Sequence, residues 1–220
     1  MTDIVINGTF VNGRCIRFVK EAKNLGVILD ESLSFEKQVQ KVVQTCFYFI
    51  KKIAEIKSFL TFDQLKTLVC TCVFSNMDYC NSLYYGINKS LIKKLQSVQN
   101  SAIHLLKKRG NKLNTATEEL LRELHWLPVH KRIVFKVLLL VHKCLLGKAP
   151  ELLMELLDQG GSVRMKKLEE PRYVGTYGER SFAVAAPKLW NCLPADLRTE
   201  EDTDLFKKKL KTFLFKNDIE

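Results

Sequence analysis

The feature that most constrains the fold is a run of apolar residues that follows a proline and ends before a glycine, residues 129–146. Wound as a helix, this run is apolar on nearly every side, and a helix that is hydrophobic all round has to be buried. The longest apolar stretch within it, residues 133–146, is interrupted by Lys136, His142 and Lys143, and it is shorter than the roughly 20 residues that a membrane-spanning helix needs. We therefore predict a buried helix at the centre of a helical bundle, and no membrane partner.

Helical periodicity and capping patterns predict further helices on both sides of this one. Ser34 can cap a helix over residues 35–57, whose apolar residues form one wide face. Thr61 with Gln64, and again Thr115 with Glu118, have the spacing of a capping box, which indicates two more helix starts. The predicted helices are 35–57, 61–74, 90–108, 115–125, 129–146, 151–158 and 202–215.

The first thirty residues have the pattern of strands instead. Short runs rich in β-branched residues at 4–6, 15–19 and 25–30 flank the Asn and Gly residues that favour turns. Near the other end, two glycines and a serine at 160–162 begin a weaker stretch. The sequence therefore predicts a mainly α fold, a helical bundle preceded by a small β-hairpin or strand segment. The predicted regions are 1–34 (β segment), 35–159 (helical bundle) and 160–220 (weak strands and a terminal helix).

No arrangement of residues in the sequence points to catalysis or to a metal site. Nucleotidyl transfer and nuclease chemistry need converging carboxylates that hold divalent metal ions, whereas adjacent acidic residues such as Asp30 and Glu31 point in diverging directions. Cys70 and Cys72 lie two residues apart on a predicted helix, so their thiols cannot converge on one zinc ion. We therefore predict no catalytic residue, no metal ligand and no cofactor.

The cysteines and the N-terminal residues bear on the compartment. The seven cysteines are odd in number and are scattered among apolar residues, which is typical of reduced thiols in a core. Nothing at the N-terminus resembles a secretory signal. We expect a soluble intracellular protein, in either the nucleus or the cytoplasm.

The charge of the chain indicates the kind of partner. Thirty-five Lys and Arg against 24 Asp and Glu give a formal net charge of +11, and a chain this basic usually meets something anionic. Seven of the positive charges lie between residues 79 and 117, where the sequence has no Asp or Glu. On the predicted helix 90–108, one face is an apolar seam and the opposite face collects cationic and amide side chains. The residues of the seam are Leu91, Leu95, Val98, Ala102 and Leu105.

The acid-free face predicts contact with nucleic acid. A solvated helix normally mixes both signs of charge, because i,i+4 pairs stabilise it, whereas cationic and amide groups together are the set that contacts phosphate and sugar oxygens. An acidic surface of a partner protein and a plain solvated face remain as alternatives. The predicted nucleic-acid-binding residues are Lys89, Lys93, Gln96, Asn100, His104, Lys107, Lys108, Arg109 and Lys112.

Five ordered blocks of the sequence resemble a known family. They read NLGVILD at 24–30 with LSF at 33–35, DYCN at 78–81, LQSVQN at 95–100, LRELHWLP at 121–128 and AAPKLWN at 185–191. Together the blocks extend over nearly the whole chain. They resemble the region downstream of the polymerase active site in non-LTR (LINE-type) retrotransposon reverse transcriptases.

The resemblance implies a role without chemistry for this chain. The family's metal-binding aspartates would lie before residue 1, so no catalytic residue can be carried over. The segment 25–30 resembles the end of the palm that supports the primer, and the helices after it resemble the thumb that grips the template–primer duplex. The implied function is that of a non-catalytic C-terminal fragment of an RNA-directed DNA polymerase. Its partners would be RNA or an RNA–DNA duplex and the upstream polymerase domain of a full-length protein. A retrotransposon-derived protein-interaction module, or a remnant without function, is the alternative.

Overall fold

The computed structural model of the chain describes residues 8–106, 117–157 and 167–217. Strands β1 (Gly8–Val11) and β2 (Arg14–Arg17) form one antiparallel hairpin, and β3 (Glu21–Asn24) and β4 (Val27–Asp30) form a second. Helices account for most of the remaining described chain. The prediction of a mainly α protein with a small β segment in front of the helices is confirmed.

Both hairpins turn on two residues in the left-handed region. Asn12 and Gly13 have φ angles of 50° and 76°, and Leu25 and Gly26 have φ angles of 45° and 87°. Positive φ at both central residues is the type I′ turn, whose twist matches that of paired strands. The predicted strand 25–30 therefore starts two residues late, at Val27, because its first two residues make the turn. The predicted strand 4–6 lies outside the described residues.

The helices follow the capping signals closely. Thr61 Oγ1 accepts a hydrogen bond from Gln64 N at 3.3 Å, and Gln64 Oε1 accepts one from Thr61 N at 2.9 Å, so this capping box is confirmed. Thr115, of the second predicted box, lies outside the described residues. The helices are α1 (Glu36–Ile56), α2 (Phe62–Leu68), α3 (Ser75–Asp78), α4 (Lys89–Leu106), α5 (Thr117–Glu123), α6 (Val129–Leu145), α7 (Glu151–Glu155), α8 (Gly175–Arg180), α9 (Phe182–Asn191), α10 (Ala195–Arg198) and α11 (Thr203–Lys216). A π-helical segment, Val69–Phe74, joins α2 to α3, and 3₁₀ turns cover Lys57–Phe59 and Asn81–Tyr84.

The start of α1 is held by Asp30 more than by the predicted cap Ser34. The Asp30 carboxylate accepts hydrogen bonds from Ser34 N and Phe35 N, both at 2.9 Å, and from the Ser32 hydroxyl at 2.6 Å. Ser34 Oγ accepts from Glu36 N at 3.2 Å. Partial burial alone would raise the pKa of Asp30, but the hydrogen bonds from Ser32, Ser34 and Phe35 outweigh it and hold that pKa well below its usual range. Asp30, which is followed by Glu31 in the sequence, therefore has a structural role: its carboxylate connects the end of β4 to the start of α1.

The buried side chains form two apolar clusters that meet in α6. The first is built from α1, the α2–α3 unit and α4, and it includes Val129 and Ile133 at the start of α6. The second surrounds the rest of α6 with α9, α10 and α11. Leu138 is fully buried in the second cluster, whereas Leu139 is half-buried and Lys136 is exposed. The predicted central position of this helix is correct, but one flank of it reaches the surface.

The C-terminal region differs from its prediction. Described residues 167–217 contain α8 to α11 and no strand, because their apolar side chains recur at helical spacing and pack on α6. The extended residues 167–174 are held instead by Asn191, whose side chain bonds Leu168 N at 2.8 Å and Leu168 O at 2.9 Å. The two clusters meet within α6, and the predicted boundary at 159/160 lies outside the described residues.

Candidate nucleic-acid interface

Helix α4 presents the predicted basic face, and its other side is embedded in the first cluster. Asn88 begins the helix: its Oδ1 accepts a hydrogen bond from Ser90 N at 2.8 Å, and its carbonyl accepts from Leu91 N at 2.9 Å. The buried side of α4 packs against α1 and α6. Its buried residues are Leu91, Leu95, Val98, Gln99, Ala102, Ile103 and Leu106, whereas Leu105 of the predicted seam is half-buried.

The charged candidates on α4 face solvent. Lys89, Lys93, Lys94 and His104 are exposed. At 100° per residue, Lys89, Lys93 and His104 lie within about 60° of one another around the helix axis, and Lys94 lies farther round. Among residues 8–106, 117–157 and 167–217, no carboxylate forms an ion pair with any of these three lysines. Their charges are therefore available to an external anion.

The amide candidates on α4 have internal partners. Gln96 Nε2 donates to Gln99 Oε1 and to Asn100 Oδ1, each at 2.9 Å, and Gln96 Oε1 accepts from Val129 N at 3.0 Å. Gln99, which is fully buried, donates to Leu127 O at 2.9 Å. These amides satisfy backbone groups at the start of α6, where the first turn lacks intrahelical partners. The side chains of Gln96 and Gln99 thus join α4 to the start of α6, and Asn100 accepts a hydrogen bond from Gln96 within α4. Lys107, Lys108, Arg109 and Lys112 lie outside the described residues.

A groove beside Lys89 and Lys93 extends the basic face. It has a volume of about 640 Å³ and runs between α4, α6 and α8. Besides the two lysines it is lined by Arg180, His130 and Tyr85. Glu179 is the acidic residue among its described lining residues, and it lies 3.9 Å from Lys188 Nζ as an ion pair. The sequence gives no sign that Arg180 belongs beside α4, because 86 residues separate it from Lys94.

Arg180 contacts three segments of the chain, and no carboxylate of residues 8–106, 117–157 and 167–217 forms an ion pair with it. Its Nη2 donates to Leu33 O at 3.0 Å and its Nε donates to Tyr85 O at 3.4 Å. The guanidinium also lies 5.8 Å from the centre of the Phe35 ring, within the range of a cation–π contact. Carbonyl oxygens orient the guanidinium without cancelling its charge. Arg180 therefore places a fixed positive charge at the edge of the groove.

Gly86 makes this placement possible, and its replacement is a test. Its φ is +69°, and an added Cβ would lie 2.6 Å from Arg180 Cγ. We expect Gly86→Ala to lower the free energy of unfolding by about 2–3 kcal/mol, since left-handed strain of about 1–2 kcal/mol adds to the displacement of Arg180. Urea unfolding measures the loss. The matched control is Gly147→Ala, where φ is +66° but nothing lies within 4 Å. Equal losses in both variants would show that the proximity of Arg180 contributes nothing.

Acidic residues also lie next to one another at 200–202, and the first of them is engaged by hydrogen bonds and an ion pair. Glu200 Oε1 accepts hydrogen bonds from the backbone N–H of Glu201 and Asp202, both at 3.1 Å, and its Oε2 lies 2.6 Å from Lys209 Nζ. Across the described ranges, no group of three or more His, Cys, Asp or Glu residues could hold a metal ion. In the same ranges, the structure has no helix whose length and apolar character would suit a membrane span.

Comparisons with known proteins identify no relative of this chain. No protein-family model, no curated protein and no solved structure matches this chain.

Proposed function

We propose that this chain is a non-catalytic C-terminal part of a non-LTR retrotransposon RNA-directed DNA polymerase, and that it binds RNA or template–primer duplex through α4. The observation that carries the binding proposal is the exposure of Lys89, Lys93 and Lys94 without an ion-pair partner among the described residues. Lysines that neutralise phosphates release condensed counterions, which favours binding irrespective of base sequence. Arg180 adds a cation at the neighbouring groove.

The positions of the resembling blocks support the polymerase part of the proposal. Residues of block 95–100 bond block 121–128, through Gln99 Nε2 and Leu127 O. Residues of block 78–81 bond block 24–30, because the Tyr79 hydroxyl donates to Leu25 O at 2.6 Å. Trp190, in block 185–191, is fully buried in the second cluster. The residues that carry the resemblance thus make contacts between segments or lie in the core. This is expected if the resemblance reflects a shared fold and not a shared active site.

Removing the exposed lysines of α4 tests the binding proposal. We expect the triple variant Lys89→Gln, Lys93→Gln and Lys94→Gln to bind a 20-base RNA hairpin about tenfold more weakly, and to have a salt slope that is smaller by roughly one unit for each phosphate no longer neutralised. The weakening should be similar for every sequence tested, because phosphates carry no base identity. Fluorescence anisotropy at several salt concentrations measures both quantities. Stability should change by no more than about 0.5 kcal/mol, since the three side chains are exposed.

The control removes equal charge from another helix. Lys207→Gln, Lys208→Gln and Lys209→Gln on α11 take away three positive charges, two of which already pair with Asp204 and Glu200. This variant should bind RNA nearly as well as the parent. Equal weakening by the two triples would mean that net charge alone attracts the nucleic acid and would remove the special role of α4.

A second candidate function is supported by apolar surface. Leu25 is 84% exposed and Phe59 is 85% exposed, and Tyr48 on α1 is also exposed. A contiguous patch of such side chains would mark a protein-interaction surface, and a retrotransposon-derived interaction module is the function that it would serve. In that case the triple variant of α4 would leave the affinity for RNA unchanged, and Phe59→Ser would reduce association with a protein partner.

A further inference from the structure

A second cavity lies away from the α4 surface, where the α2–α3 unit, the turn before α6, α6 itself and α11 meet. Its volume is about 430 Å³, within the range of about 300–1,000 Å³ that is typical of small-molecule sites. Phe74, Trp126 and Phe135 form an apolar wall. The π-helical segment Val69–Phe74 forms part of another side, and such segments are frequent at functional sites.

The charges in this cavity are unbalanced. Asp78 is the acidic residue among its described lining residues, and it is engaged by Arg132 in a two-pronged ion pair, with Arg132 Nε to Asp78 Oδ1 at 2.9 Å and Nη2 to Oδ2. Lys136 and Lys211 line the same cavity, and no described carboxylate forms an ion pair with either of them. Two cationic groups therefore line the cavity, and no carboxylate in the described part of the chain pairs with them.

Lys211 bears the cost of this imbalance. It is half-buried, and burial together with the nearby charges of Arg132 and Lys66 lowers its pKa. Burial and like charges both disfavour the ammonium form. A bound anion would reverse both effects by supplying the missing opposite charge.

We propose that this cavity binds a nucleotide. The phosphate would be held by Lys136 and Lys211, and the planar base would pack on the apolar wall. Phosphorylated ligands with these two features are either free mononucleotides or the terminal nucleotide of a strand. The site shares no residue with the α4 surface or its groove, so it does not rest on the function proposed above.

Calorimetric titration of the full chain with adenosine 5′-monophosphate tests the proposal. We expect binding that is tighter than that of either adenosine or inorganic phosphate alone, because each of those lacks part of the recognised chemistry. Lys211→Met keeps the length of the side chain and removes its charge, and it should weaken binding of the monophosphate about tenfold, as expected for loss of one charge-assisted hydrogen bond. The matched control is Lys216→Met, which removes an exposed lysine from the same helix without touching the cavity.

Two further comparisons separate the parts of the proposal. A 5′-phosphorylated dinucleotide that binds more tightly than its unphosphorylated form would identify strand ends as the source of the ligand, and tighter binding of the free monophosphate would identify the mononucleotide. The α4 triple variant should bind the monophosphate like the parent. Unchanged affinity in Lys211→Met, or adenosine binding as tightly as its monophosphate, would overturn the proposal.

Discussion

Replacing Leu138 with aspartate is expected to unfold the C-terminal half of the protein. Leu138 is fully buried on α6 within the second cluster, beside helices α9 and α11. An unpaired carboxylate there loses its hydration, and we expect the free energy of unfolding to fall by about 4 kcal/mol or more. Since whole domains are stabilised by only about 5–15 kcal/mol, a loss of this size is a large fraction of the total and should move the unfolding transition to much lower urea concentration. Urea unfolding followed by circular dichroism and by the fluorescence of buried Trp190 measures it.

Two other leucines calibrate this effect. Leu139, the neighbour on α6, is half-buried, so Leu139→Asp should cost about half as much. Leu152 on α7 is 71% exposed, so Leu152→Asp should change stability by no more than about 0.5 kcal/mol. The expected order of destabilisation is Leu138, Leu139, Leu152. If Leu138→Asp melted like Leu152→Asp, the second cluster could not be packed around α6 as described.

Replacing Arg132 with methionine should have the second-largest effect on stability. Arg132 joins α6 to Asp78 at the end of α3 through two hydrogen bonds, and its guanidinium lies 4.9 Å from the centre of the Phe74 ring. The side chains of the pair are only 18% and 28% exposed. Arg132→Met leaves the carboxylate of Asp78 partly buried and without its counter-ion, which we expect to cost about 3 kcal/mol, at the low end for buried pairs. Methionine keeps most of the apolar packing on Phe74, so the destabilisation reports the charge.

A second substitution tests whether the destabilisation comes from the loss of the Arg132–Asp78 attraction or from the unpaired carboxylate of Asp78 that remains. Asp78→Asn in the Arg132→Met background removes the unpaired carboxylate, so the double variant should be more stable than Arg132→Met alone. An exposed pair provides the comparison: Lys52 and Glu55 on α1 lie 3.0 Å apart with half-exposed side chains. Lys52→Met should leave the urea midpoint unchanged, because exposed pairs contribute little. A double variant no more stable than Arg132→Met would mean that Asp78 is hydrated rather than buried by the pair.

The local elements were largely readable from the sequence. The bounds of α1 and α6 and the start of α4 lie within one residue of the predicted positions, and the predicted end of α4 lies outside the described residues. Thr61 and Gln64 form their capping box because both groups belong to one turn of backbone. Strand β3 escaped prediction because all of its residues are exposed, so no apolar alternation marks it. The C-terminal strands were predicted from glycines and prolines, whereas packing on α6 selects helices there.

The candidate interface could be predicted from the sequence only in part, because a pattern within one segment does not show which distant residues pack against it. The absence of acids from residue 79 to residue 117 and the helical spacing of α4 identified its exposed lysines from sequence. Spacing on one helix does not say what faces it, so Gln96 looked like a nucleic-acid contact although its amide bonds Val129 and Asn100. Arg180 and Lys211 gave no signal, because each acquires its position from residues far away in the chain.

What the sequence by itself determined is therefore periodic and local: a mainly α fold, a central helix over residues 129–146 and a basic face on α4. Each follows from hydrophobic spacing, capping side chains or charge within one segment, and these act over a few residues. The tertiary structure alone decided that α6 joins two clusters, that Arg180 lies against Gly86, and that Lys211 shares a cavity with Asn81. Those relations depend on packing and electrostatics between distant segments, which no pattern within a single segment encodes.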